Sequence, residues 1–157
     1  MKLYFLILGS NHGLPGRNIE GALRKLKRFG EVVSRSSFYV TEPVGKKHQE
    51  GFLNLGVKYK STLFPKEIME ALKGIEREMG RVFTGNKEHR RIDIDVASGD
   101  ILSEDPFITI PHPALNERRF MLEPVCEIDP DYRGGKMGET FRELLKKCGD
   151  TSEVIRL

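Results

Sequence analysis

The sequence predicts an α+β domain in which two helices cover one side of an antiparallel sheet and a helical extension follows at the C-terminal end. Three observations carry this. Apolar runs rich in β-branched and aromatic residues (Leu3 to Leu8, residues 31 to 41, Phe52 to Tyr59) alternate with stretches whose apolar residues recur at helical spacing. A further strand is marked by period-two alternation in Arg90-Arg91-Ile92-Asp93-Ile94-Asp95-Val96. The resulting order is strand, helix, strand, strand, helix, strand and tail, which is the ferredoxin-like βαββαβ arrangement. No repeat or linker interrupts it, so residues 1–157 read as one domain.

Taken in order, Leu3 to Leu8 has the continuous apolar pattern of a strand buried on both faces, and reads as that rather than as a signal peptide. Gly9-Ser10-Asn11 ends it, and a loop with Gly13, Pro15 and Gly16 leads into a helix traced by Ile19, Ala22, Leu23 and Leu26, with Gly30 as its stop signal. Such a turn can cradle phosphate, but its spread glycines favour a plain strand-to-helix connection. Residues 31 to 41 form a strand broken by Glu42-Pro43-Val44-Gly45, and Phe52 resumes pairing after a polar loop longer than most hairpin turns. Pro65 opens a second helix with the stripe Ile68, Leu72, Ile75 and Met79, ending at Gly80. After the aspartate strand come turns at Gly99-Asp100 and Asp105-Pro106 and a short edge segment from Phe107 to Pro111. Helices are expected over Leu122 to Ile128 and over residues 138 to 148.

Composition narrows the function. Charged residues are 31% and hydrophobic residues 38%, and no run approaches the roughly 18 apolar residues of a membrane span. A net charge of +3 with scattered basic residues excludes a nucleic-acid footprint but suits an anionic small molecule. Cys126 and Cys148 lack metal-ligand spacing and read as reduced thiols of a cytoplasmic protein, expected to be a monomer or weak dimer.

The chemistry concentrates around Asp93 and Asp95. On a strand, residues i and i+2 share a face, about 7 Å apart, so the two carboxylates point the same way and repel. Magnesium, held by carboxylates and substrate phosphates, would relieve that repulsion. A solvated face salt-bridged to the neighbouring arginines is the alternative. Asn54 carries donors and an acceptor within an apolar strand, which can read a heterocyclic edge or satisfy the core. Glu76 lies beside the apolar stripe of the second helix and either reaches the sheet or is solvated. His112 is held between two prolines, a poor choice for filling a core and a better one for a functional role.

These residues resemble the 6-hydroxymethyl-7,8-dihydropterin pyrophosphokinases of folate biosynthesis. The resemblance covers nearly the whole chain. It rests on Gly9-Ser10-Asn11, Ser37-Phe38-Tyr39 with Thr41 and Pro43, Phe52-Leu53-Asn54, Glu76 with Gly80-Arg81-Val82, Asp93-Ile94-Asp95, Pro111-His112, and Arg118 with Phe120-Met121-Leu122. It implies transfer of the terminal pyrophosphate of ATP to the pterin hydroxymethyl group. By matching position, Asp93 and Asp95 would hold two magnesium ions (Mg2+), and Arg81, Arg90, His112 and Arg118 would engage the triphosphate. Glu76 and Thr109 would lie near the nucleotide. The pterin would stack between Phe52 and Phe120, with Asn54 and groups near Thr41, Pro43 and Val44 on its edge.

The sequence departs from the family pattern in one region. The Trp and Gly-Pro usual before the Arg that precedes the aspartates are replaced by Lys87-Glu88-His89, and the chain has no Trp. Phe83 stands where a second arginine is usual, and Val96-Ala97-Ser98-Gly99 stands where a hydrophobic run ending in Phe-Gly is usual. Two rival readings are weaker. A haloacid dehalogenase-like phosphatase needs an apolar strand before its first aspartate, where this chain has Arg90-Arg91. A ferredoxin-like ligand-binding regulatory module without catalysis has no need of two aspartates, a histidine and several arginines together.

Overall fold

A computed structural model of the protein describes residues 1–41, 51–80 and 91–157. Their elements are β1 (Lys2–Ser10), α1 (Pro15–Leu26), β2 (Glu31–Thr41), β3 (Phe52–Ser61), α2 (Pro65–Glu78), β4 (Asp93–Gly99), β5 (Ser103–Asp105), β6 (Ile108–Ile110), α3 (Arg119–Ile128), α4 (Phe141–Lys147) and β7 (Val154–Arg156). The main sheet has five strands in the order β4-β1-β3-β2-β7, every neighbouring pair antiparallel. The first four strands therefore stand in the ferredoxin-like order.

β1 is central and buried from Tyr4 onward, as its continuous apolar run requires. Alternation along it feeds two cores. Tyr4, Leu6 and Leu8 pack with Ile19, Ala22, Leu23 and Leu26 of α1 and Ile68, Leu72 and Ile75 of α2. Phe5 and Ile7 point the other way and pack with Met121, Leu122 and Val125 of α3 and Phe141 and Leu144 of α4. The two crossover helices thus share one face, as expected. Among the described residues the C-terminal extension covers much of the other, leaving one end of that second face outside its core.

Several local expectations shift. α1 stops at Leu26, and Gly30 serves a different purpose: a Cβ there would lie 2.2 Å from the Lys60 carbonyl oxygen, so glycine permits close strand approach rather than a helix cap. The segment around Phe107 to Pro111 is one arm of the β5-β6 hairpin, with a cis Ile110–Pro111 peptide following it. α3 begins at Arg119, three residues before the expected start, because Met121 and Leu122 already donate to the Arg118 carbonyl. α4 begins after Thr140, whose Oγ1 accepts from the Glu143 N–H at 3.0 Å, a side-chain N-cap. β7, in the segment read as a tail, adds three residues to the edge of β2.

One glycine sets how closely the second layer sits. A Cβ on Gly56 would lie 2.7 Å from the Pro124 Cβ and 3.2 Å from its carbonyl carbon, so α3 rests directly on β3. Gly56→Val is expected to lower stability by about 1–3 kcal/mol through overpacking, read as a lower urea midpoint with an unchanged slope.

Candidate active site

The open end of the second face is built by strand register. In β4, Ile94 and Val96 are buried in the first core, so Asp93 and Asp95 project from the opposite face, both half-buried. On β1, Gly9 stands opposite Asp93 and Ile7 opposite Asp95. On β3, Asn54 stands opposite Gly9, and on β2, Tyr39 stands opposite Asn54 and Thr41 opposite Phe52. Asp93, Gly9, Asn54 and Tyr39 therefore form one row across the sheet. Two strand spacings place the carboxylate about 10 Å from the amide.

Gly9 keeps this row open. A Cβ there would be 2.7 Å from the Asn54 Oδ1 and 3.7 Å from the Phe52 ring. Asn54 is 4% exposed, and its Nδ2 donates to the Thr41 Oγ1 at 2.9 Å. That bond fixes the amide against the sheet and makes the two side chains a unit. Of the two alternatives read from the sequence, the bond shows the first, an amide satisfied within the fold, on a residue that lies in the row of the open end.

Phe120 reaches the same end from above. α3 touches Gly56 through Pro124 and Lys58 through Asp129, the latter a 2.9 Å ion pair, so the helix runs along β3 toward higher residue numbers. Phe120 precedes Pro124 by about one turn, roughly 6 Å of rise, and Asn54 precedes Gly56 by a similar distance. The ring is half-buried against the second core, over the Asn54 and Phe52 end.

His112 enters beside the carboxylates. Its N–H donates to the Ala97 carbonyl oxygen at 2.9 Å, and its Nδ1 accepts from the Ala114 N–H at 3.0 Å. Burial holds the imidazole below its ordinary pKa, with the Asp93 charge pulling the other way. The ring is thus neutral at pH 7 with its proton on Nε2, a donor suited to phosphate oxygen.

Glu76 reaches the sheet, one of the two positions its place beside the apolar stripe allowed. It is 3% exposed on the α2 side, and its Oε2 accepts from the Ile94 N–H at 2.9 Å, on the outer edge of β4 between the two aspartates. A buried carboxylate on an edge-strand N–H fixes that strand. Glu76→Ala is expected to lower stability by roughly 1–3 kcal/mol by leaving a buried donor unpaired, with Glu76→Gln retaining most of it. Thermal unfolding of the two variants side by side checks this.

Of the other residues singled out, Thr109 donates its hydroxyl to the Asp105 carbonyl oxygen at 3.1 Å within the hairpin. Arg118 is exposed at the N-terminal end of α3, near Asp150. The Asp150 carboxyl is held below its usual range chiefly by the Ser152 hydroxyl, with Arg118 a smaller cause. Pro43, Val44, Arg81 and Arg90 lie outside the described residues, as do Phe83 and Lys87 to His89. Sequence reasoning passed over Gly56 and Glu127; a glycine inside an apolar strand was a usable signal for the first, and none pointed to the second.

An antiparallel α+β sandwich with a carboxylate pair and an amide–hydroxyl pair on one sheet face defines a class: a ferredoxin-like α+β domain with its polar side chains gathered at one end of the sheet. Comparison with known proteins narrows it. A model of the family described as 7,8-dihydro-6-hydroxymethylpterin-pyrophosphokinase (HPPK) matches residues 5–130. The chain is 39% identical over 161 residues to a 2-amino-4-hydroxy-6-hydroxymethyldihydropteridine pyrophosphokinase of Methylorubrum extorquens, covering 100% of this chain and 99% of that protein. It is 36% identical to the folic acid synthesis protein fol1 of Schizosaccharomyces pombe, covering 99% of this chain but 21% of that protein. A solved Plasmodium falciparum HPPK-DHPS structure superposes with a TM-score of 0.71 at 17% identity, covering 93% of this chain and 41% of that one, which shows a shared fold. The chain belongs to the 7,8-dihydro-6-hydroxymethylpterin-pyrophosphokinase family.

Proposed function

We propose that the chain transfers the terminal pyrophosphate of ATP to the hydroxymethyl group of 6-hydroxymethyl-7,8-dihydropterin, giving the pterin diphosphate and AMP for folate synthesis. Family membership supports the reaction class. The structural observation that carries the reading is the shared face: Asp93 and Asp95 at one side, the Asn54–Thr41 pair at the other, and Gly9 without a side chain between them.

The hydroxymethyl oxygen attacks the β-phosphorus of ATP, the bond from that phosphorus to the α–β bridging oxygen breaks, AMP leaves, and the hydroxyl proton passes to water. Such transfers need positioning and charge neutralisation above all. Asn54 and Thr41 hold the heterocycle edge while Phe52 and Phe120 supply apolar faces, which orients the hydroxymethyl group toward the aspartates. His112 donates Nε2–H to phosphate oxygen, and Arg118, Arg81 and Arg90 add positive charge. Glu76 acts through β4, holding Asp93 and Asp95 in register. The donor set suits magnesium, two hard carboxylates on one strand face, and two ions there would neutralise the phosphates when bound. Thr109 belongs to the nucleotide side only through the hairpin it stabilises. The reading treats residues 1–157 as one domain acting as a monomer or weak dimer in the cytoplasm; among the described residues no helix is long and apolar enough to cross a membrane.

Equilibrium titration tests the arrangement. A pterin is expected to bind with its fluorescence changed, and a non-hydrolysable ATP analogue to bind only with magnesium present. Magnesium-independent nucleotide binding would contradict the role given to Asp93 and Asp95.

A further inference from the structure

Ser37 and Tyr39 are left without a part in the chemistry above, and the structure gives them a common partner. β2 carries an irregularity between Arg35 and Phe38, opposite Gly56. Inside it the Ser36 Oγ accepts from the Gly56 N–H at 2.8 Å, and the Ser37 N–H turns away from the ladder to the Glu127 carboxylate of α3, at 2.9 and 3.1 Å from its two oxygens. The Ser37 hydroxyl donates to the same carboxylate at 3.1 Å and the Tyr39 hydroxyl at 2.6 Å. Arg156 of β7 closes the group, donating from Nε to the Ser37 Oγ at 3.1 Å and pairing with Glu127 at 3.5 Å.

The consequence is geometric. The extra residue of the bulge changes the phase of β2, so that Tyr39 and Thr41 share the face of Asn54 and Phe52. Glu127 sits about two helical turns after Phe120 on the helix that rests on Gly56. One carboxylate thus ties the strand that presents Thr41 to the helix that presents Phe120. Tyr39 is 3% exposed, so its hydroxyl meets Glu127 away from solvent.

We infer that Glu127 is a positioning residue of the heterocycle subsite, setting the gap between the Phe120 ring and the edge-reading Thr41–Asn54 pair through Ser37 and Tyr39. The inference rests on the pyrophosphokinase reading. It separates the two substrates: loss of the tie widens the pterin slot and leaves the carboxylate end, two strands away, as it was.

The test compares dissociation constants of 6-hydroxymethylpterin and of a magnesium–ATP analogue for the wild type, Glu127→Ala, Glu127→Gln and Tyr39→Phe. Glu127→Ala is expected to weaken the pterin about tenfold or more and the nucleotide by less than about twofold. Glu127→Gln keeps an oxygen acceptor and recovers most of the affinity. Tyr39→Phe, which removes one hydroxyl and preserves packing, keeps the test alive should Glu127→Ala not fold, with an expected weakening of a few-fold for the pterin alone. Equal weakening of both ligands, or unchanged pterin binding in every variant, would overturn the inference while leaving the proposed reaction standing. A wild type that binds the nucleotide but no pterin would overturn the reaction itself.

Discussion

Asp93→Ala and Asp95→Ala should each reduce kcat by on the order of 10³-fold and leave the thermal midpoint within a few degrees of the wild type. The activity term is large because, on the proposed reading, each carboxylate would supply half of the hard-oxygen set for cations bound with the phosphates. Loss of one carboxylate would then leave the polyphosphate charge less compensated. The stability term is small because both side chains are half-buried at a sheet edge, on strand positions that disfavour aspartate, and each repels the other. Ile94 and Val96, which hold β4 in the core, are untouched. Activity assays and thermal unfolding of the two variants, at saturating magnesium, check both halves. A variant with near-normal turnover would remove the basis for placing cations there.

Asn54→Leu should raise the KM for the pterin by about two orders of magnitude with little change in that for ATP. The substitution keeps the number of side-chain heavy atoms but leaves the Thr41 Oγ1 without its 2.9 Å donor and, on the proposed reading, the heterocycle edge without its partner. Each buried polar group left unpaired costs about 1–3 kcal/mol, and two of them compound to roughly the stated factor. The aspartates lie two strands away, across Gly9, far enough for the effects to be nearly independent. Steady-state kinetics with each substrate varied in turn reads the split. Parallel rises in both constants would mean that Asn54 supports the fold rather than the pterin.

Much of this architecture was legible because it depends on local patterns. Period two around Asp93 and Asp95 reported a strand with one buried face, the stripe in α1 reported its buried side residue by residue, and the stripe in α2 did so at Ile68, Leu72 and Ile75, while Met79 lies just past the helix and is partly buried. What escaped depends on contacts between distant segments. β7 is three residues long and exists because Val154 to Arg156 meets the edge of β2 at Tyr39 to Thr41, a pairing without any local signal. Glu127 looks like any helical glutamate until the bulge at Ser36 and Ser37 turns a backbone N–H toward it. Glu76 differs from its solvated neighbours only because α2 sets it against the outer edge of β4. Phe120 and Phe52 could be paired by resemblance, whereas the height of one above the other follows from Gly56 and Pro124.

The Gly30 correction has the same origin. As a stop signal it fits local rules, but the helix ends at Leu26 and the glycine answers to a backbone carbonyl thirty residues later, at Lys60. Side chains that touch neighbours in sequence can be read from sequence; those that answer to a distant backbone cannot.

The measurement that tests the central claim most directly is product analysis after incubation of the protein with magnesium, ATP and 6-hydroxymethyl-7,8-dihydropterin. The account predicts AMP and the pterin diphosphate in equal amounts, dependent on the pterin. ADP with a pterin monophosphate, or ATP consumption indifferent to the pterin, would contradict it.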